Sequence, residues 1–156
     1  MGFVVQETMS GTHELESGWG APGRQPFAFR VAWGPERLRE WLDPRSPQFL
    51  WQELEGEVRL GGLDGVPEWA SCRGTLELDY FGSARIRYVF DVPAGERTFR
   101  FQGDKVELRP WNLLVTHTTC FGTLTELESG RLVSRSVTRF RLRDLPRMAL
   151  STRWRA

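Results

Sequence analysis

Hydrophobic and polar residues alternate with a period of two through most of this chain, the spacing that places successive side chains on opposite faces of a β-strand. Residues 27–33 set Phe27, Phe29, Val31 and Trp33 against Ala28, Arg30 and Ala32. Residues 49–60 set Leu54, Gly56, Val58 and Leu60 against Glu53, Glu55, Glu57 and Arg59, an inside–outside pattern with a solvated acidic face. The best hairpin pairs residues 72–80 with residues 84–92 across Gly82-Ser83. Its acids (Glu77, Asp79) face arginines (Arg85, Arg87) on the next strand. Residues 3–8, 98–102, 105–109 and 131–142 complete the set, with Gly103-Asp104 read as a turn. Period 3.6 occurs only briefly. Pro35 opens a helix over 35–42, and Asp144 starts a second over 144–150.

The stretch at 107–126, ELRPWNLLVTHTTCFGTLTE, departs from clean alternation, since neither face is charged and neither is purely apolar. Read as a strand, it places Leu113, Val115, His117, Thr119, Phe121 and Thr123 on one face. Leu114, Thr116, Thr118, Cys120, Gly122 and Leu124 take the other. With Ser134, Ser136 and Thr138 also on a face that looks inward, a dry sandwich core would hold too many hydroxyls. The pattern predicts an all-β protein: one antiparallel, lipocalin-like β-barrel over 1–156, hollow, with two short helices. The Gly- and Pro-rich segment 9–26 reads as a long loop, with Trp19 either plugging a gap on the barrel surface or riding on a mobile flap over a pocket mouth.

Composition narrows the function only by exclusion. At 156 residues and net charge +1, nothing in the mean field calls for nucleic acid or an anionic membrane. Arginine carries nearly all the positive charge, Lys105 being the one lysine. There is no signal-peptide pattern and no apolar span of membrane length, so a cytoplasmic protein with two free thiols, Cys72 and Cys120, is expected. Seven tryptophans and ten phenylalanines suit a large core or an aromatic-lined pocket. No metal, phosphate-loop or dinucleotide pattern occurs, and no cofactor is expected.

His117 and Cys120 lie three apart and so on opposite faces of a strand, which excludes them as a dyad without a bulge. His117 is then the titratable residue of interest, with Tyr80 and Tyr88 on inward faces of the hairpin. His13, beside Glu14 in the expected loop, reads as a surface residue.

The succession MSGTHE, FAFRVAWGPERLREWLDP, ELEGEV, CRGTLEL, IRYVFDV, FRFQGDKV, VTHTTCFGTLTE and RFRLRDLPRMALST resembles a bacterial accessory domain. That domain is found beside flavin-dependent GMC-type oxidoreductases of the cholesterol-oxidase kind and beside some hydrolases. The resemblance rests on a Met-x-Gly near the start, a short helix stopped at Leu-Asp-Pro, a Gly-x-Lys before a Thr-rich strand, and the end-piece Phe140, Leu142, Asp144, Leu145. The chain departs from the pattern at Trp111, further from the Thr-rich strand than the resemblance predicts, and it carries no flavin domain. The resemblance implies proximity to apolar, sterol- or lipid-like substrates and a flavin oxidoreductase as a partner, with no catalytic residues to carry over.

Three functions compete. One is binding of an apolar small molecule against Phe27, Phe29, Trp33, Tyr80, Tyr88 and Phe90, anchored by His117, Thr119 and Ser136. The second is a small cofactor-independent barrel enzyme, an isomerase or cyclase with His117 as acid–base and Tyr88 as its partner. The third is an interaction domain docking through the arginine face of residues 131–141.

Overall fold

The computed structural model describes residues 1–79, 81–105 and 119–155, without the side chains of Leu142 and Leu145. Among the described residues nine strands appear in chain order. They are β1 (Gly2–Leu15), β2 (Arg24–Trp33), β3 (Trp51–Leu60), β4 (Ala70–Asp79), β5 (Arg85–Ala94), β6 (Arg97–Lys105), β7 (Thr119–Glu126), β8 (Leu132–Arg139) and β9 (Arg153–Arg155). Helix α1 (Leu38–Leu42) follows β2, and α2 (Leu145–Ser151) precedes β9.

Each strand pairs antiparallel with the next from β1 to β8. The sheet closes where β1 also pairs with β8, from Ser10↔Arg139 to Leu15↔Ser134. Eight strands therefore form an up-and-down barrel without a free edge. The first residues of β1, Gly2 to Val4, extend past the barrel and pair with β9.

Alternation decides the inside. Met9, Phe27, Phe29, Leu54, Val58, Leu76, Tyr88, Phe90, Phe99, Phe101 and Leu124 are almost wholly buried, each at the inward parity of its strand. The aromatic rings meet one another: Phe90 and Phe101 stack at 4.7 Å between centroids, Phe27 lies 5.3 Å from Phe101, and Phe29 lies 5.4 Å from Tyr88. Gly103 and Gly122, cross-strand partners, leave the room Phe101 needs. A Cβ on Gly122 would stand 2.3 Å from that ring. The centre of the barrel is thus occupied by contacting aromatic side chains where a wet hollow was expected.

Several boundaries differ from the sequence reading. The segment 9–26 is strand as far as Leu15, because Met9 and His13 are buried at the inward parity of β1; only residues 16–23 turn. Trp19 is nevertheless a plug, buried edge-on to Phe99, with the Arg97 and Arg131 guanidinium groups 5.7 and 5.5 Å from its ring. The turn expected at Gly103-Asp104 does not exist. β6 runs straight through it, since Gly103 pairs with Tyr88 and Asp104 with Arg87. In β7 the inward face is Cys120 and Leu124; Phe121 is 55% exposed and Thr123 is exposed, the reverse of the expected facing. Helix α1 begins three residues after Pro35, and α2 starts after Asp144, whose side chain makes no cap.

The expected hairpin is present. Asp79 accepts hydrogen bonds from the Gly82 and Ser83 amides and from the Ser83 hydroxyl, fixing the turn between β4 and β5. Arg87 forks onto Asp104 and Arg100 onto Asp91 across the outer wall.

Candidate functional site

A charged cluster interrupts the apolar interior. Glu7 follows Val5 and precedes Met9 on the inward face of β1, so strand geometry drives its carboxylate into the barrel. Lys105, last residue of β6, shares the inward parity of Phe99 and Phe101. Its Nζ donates to Glu7 Oε1 at 2.8 Å, and both side chains are about one-twentieth exposed. The Tyr88 hydroxyl from β5 donates to Glu7 Oε2 at 2.9 Å, and the Trp33 indole from β2 donates to the same oxygen at 3.2 Å. The Lys105 ammonium also lies 5.2 Å from the Tyr88 ring centre, a cation–π contact.

Burial pushes the Glu7 carboxyl up. The adjacent ammonium, with hydrogen bonds from Lys105, Tyr88 and Trp33, outweighs burial and holds it below the usual carboxylate range. The carboxylate is therefore ionised and has a donor on each oxygen. Lys105 is less well provided. Glu7 Oε1 is its one hydrogen-bond acceptor among the described residues, which leaves two N–H groups of a buried ammonium without an acceptor.

Beside this pair, Cys120 and Thr138 face each other across β7 and β8, both fully buried. Among the described residues the Thr138 hydroxyl has no oxygen or nitrogen partner, only the Cys120 thiol beside it, and the Ser136 hydroxyl two residues along β8 has none. Burial pushes both thiols up to about 12, Cys72 with help from the Glu57 charge, so neither is a nucleophile at neutral pH.

Trp33, which donates to Glu7, also lines a pocket of about 430 Å³ together with Gln52, Trp51, Glu53 and Arg155. Gln52 is buried, accepts from the Trp41 indole, and keeps its Nε2 without a partner. A second, more open hollow of about 910 Å³ lies on the outer face of β1, β8 and β7, between Phe121, Val137, Arg24 and Arg139.

Compared with family models, with curated proteins and with solved structures, the chain matches none. Its reading therefore rests on the sequence and the geometry.

Of the residues expected to form a site, Phe27, Phe29, Tyr88 and Phe90 are brought together in the interior, and Trp33 joins them at the α1 end. Ser136 is buried on the inner face of β8, whereas Thr119 lies half-buried at the parity of exposed Phe121. Tyr80, Trp111 and His117 lie outside the described residues. His13 is not a surface residue. It is buried against Phe27, donates from Nε2 to the Gly61 carbonyl at 2.7 Å, and accepts at Nδ1 from the Ser134 hydroxyl at 2.9 Å. The Gly61 carbonyl can only accept, which fixes that tautomer. Burial lowers its pKa against the raising effect of that carbonyl, so it is a neutral structural pin.

Glu7 and Lys105 are the functional candidates that sequence reasoning missed. Among the described residues no group of three or more His, Cys, Asp or Glu side chains could hold a metal ion. No helix among them is long and apolar enough to cross a membrane.

Proposed function

We propose that the barrel binds an apolar small molecule at its α1 end, with the molecule's polar group turned toward Glu7, Lys105 and Tyr88. The observation that carries this reading is the buried ion pair whose Glu7 accepts from Trp33, a lining residue of a 430 Å³ pocket. Pockets of this size are common for small-molecule sites, and here the lining is rich in polar and charged side chains, with Trp33, Trp51 and Leu54 as its larger apolar surfaces. An ion pair buried for stability alone is a poor investment, because desolvating both charges offsets most of their attraction. Retaining one in an aromatic interior makes sense where a polar group must be met. The resemblance to domains beside GMC-type flavin oxidoreductases fits a sterol- or lipid-like ligand handed to, or received from, such an enzyme.

The test is a titration with a fluorescent apolar probe, following energy transfer from the tryptophans. Saturable binding that is weakened by Trp33→Ala supports the reading. Absence of saturable binding, with the protein folded by circular dichroism, refutes it. A second reading, a cofactor-independent isomerase, is favoured by the Tyr88 hydroxyl on an ionised carboxylate, an arrangement able to shuttle a proton within the site. It predicts deuterium exchange at an activated carbon of a bound ketone, lost in Glu7→Gln.

A further inference from the structure

The groups left unfilled around the ion pair specify what kind of polar group a ligand must bring, an inference that rests on the binding reading above. Glu7 and Lys105 cancel each other's charge. The Glu7 oxygens already accept from Lys105, Tyr88 and Trp33, which leaves a ligand little anionic acceptor capacity, since a carboxylate offers roughly four positions. What remains open among the described residues are two N–H groups on Lys105 and, on the adjoining wall, the buried Ser136 hydroxyl and the Thr138 hydroxyl beside the Cys120 thiol, each able to donate or accept. Two of these observations are independent, since the hydroxyls belong to β8 and the ammonium to β6.

A carboxylate brought here would satisfy donors but would add an uncompensated negative charge within a low-dielectric interior, close to Glu7. A ligand ammonium would be repelled by the Lys105 ammonium and find the Glu7 carboxylate already nearly filled. An uncharged oxygen avoids both costs, and a carbonyl oxygen accepts from the Lys105 ammonium without adding a donor that needs an acceptor of its own. We infer that the Glu7–Lys105 cluster recognises an apolar molecule by an uncharged carbonyl oxygen (a ketone, aldehyde or ester) and discriminates against the corresponding acid.

The experiment compares methyl undecyl ketone, tridecane and tridecanoate as competitors of a fluorescent apolar probe at pH 7. A hydrogen bond from a charged donor predicts that the ketone binds about 10- to 100-fold more tightly than tridecane. The acid should bind more weakly than the ketone. In the charge-neutral double variant Glu7→Gln/Lys105→Met, which removes the pair without stranding either charge, the ketone should lose its advantage over tridecane. The carbonyl stretch of bound ketone should move to lower frequency in the wild-type protein and return in the double variant. If tridecane and ketone bind alike, or the acid binds best, the carbonyl inference is wrong while the binding reading stands. If the ketone's advantage survives in the double variant, Lys105 is not the recognising group. If none of the three competes, both fall.

Discussion

Replacing Lys105 by methionine isolates the energetics of the buried pair, because the substitution nearly conserves volume and removes only the charge. Glu7 would then be a buried carboxylate without its counter-ion, keeping only the Tyr88 and Trp33 donors. Removing one partner of a buried pair typically costs about 3–5 kcal/mol, and two surviving hydrogen bonds argue for the lower end, about 3 kcal/mol. For a chain of this length that corresponds to a fall of roughly 6–12 °C in Tm. Urea denaturation at pH 7, followed by tryptophan fluorescence, measures it directly. The double variant Glu7→Gln/Lys105→Met should be less destabilised than either single variant, a coupling of opposite sign to simple additivity. The pH dependence supplies an independent check. The depressed Glu7 pKa gives wild type a stabilisation present above the unfolded carboxyl pKa of about 4.3 and lost as pH falls through the folded value. Lys105→Met lacks that contribution, so the gap between the two proteins should narrow on acidification. A cost below about 1 kcal/mol, or single effects that simply add, would show that the pair is solvated and refute the reasoning.

Three other outcomes are expected. His13 has a lowered pKa, so its neutral form contributes fully above the unfolded value of about 6.5, and stability falls as pH drops below it; His13→Gln should flatten the stability profile on the acid side of about pH 6.5. Native protein should not react with a thiol reagent at pH 8, whereas denatured protein should show two reactive thiols, because Cys72 and Cys120 are buried, unpaired and pushed up to about 12. Gly122→Val should cost about 1–3 kcal/mol by chemical denaturation, since the new side chain must displace the Phe101 ring from its place over Gly103 and Gly122.

Most strands could be read from the chain because one face of each is apolar and the other charged, as in residues 51–60 and 85–92. The antiparallel order followed from the short turns. The site was harder to see for one reason at each residue. Gly103-Asp104 has turn chemistry, and treating it as a turn cut β6 in two, which disconnected Lys105 from the parity of Phe99 and Phe101. In the uncut strand the chain's lone lysine is inward by counting alone. Glu7 stood in a segment read correctly as strand, between Val5 and Met9, and that parity already placed it inside. His13 was misread because the polar run around Ser10–Thr12 looks like a loop, although tertiary pairing on both edges of β1 holds it as strand. The facing of β7 was ambiguous in principle, since Thr119, Phe121 and Thr123 are no more polar than Cys120, Gly122 and Leu124. Only the partner strands decide it.

Closure of the barrel by β1 against β8 makes the last step of folding a long-range one. His13 and Ser134, joined by a hydrogen bond across that seam, are 121 residues apart, and Glu7 and Lys105 are 98 apart. Hairpins β4–β5 and β5–β6 can form locally, but the seam must wait for a loop-closure entropy paid over nearly the whole chain. Until then both seam edges present unpaired backbone groups, the state in which sheet proteins associate with one another. Refolding in the millisecond-to-second range, with a yield that falls as protein concentration rises, is the kinetic signature this topology imposes. Conditions that favour isolated chains, such as dilution or arginine-containing buffer, should raise the recovered fraction by protecting the open seam.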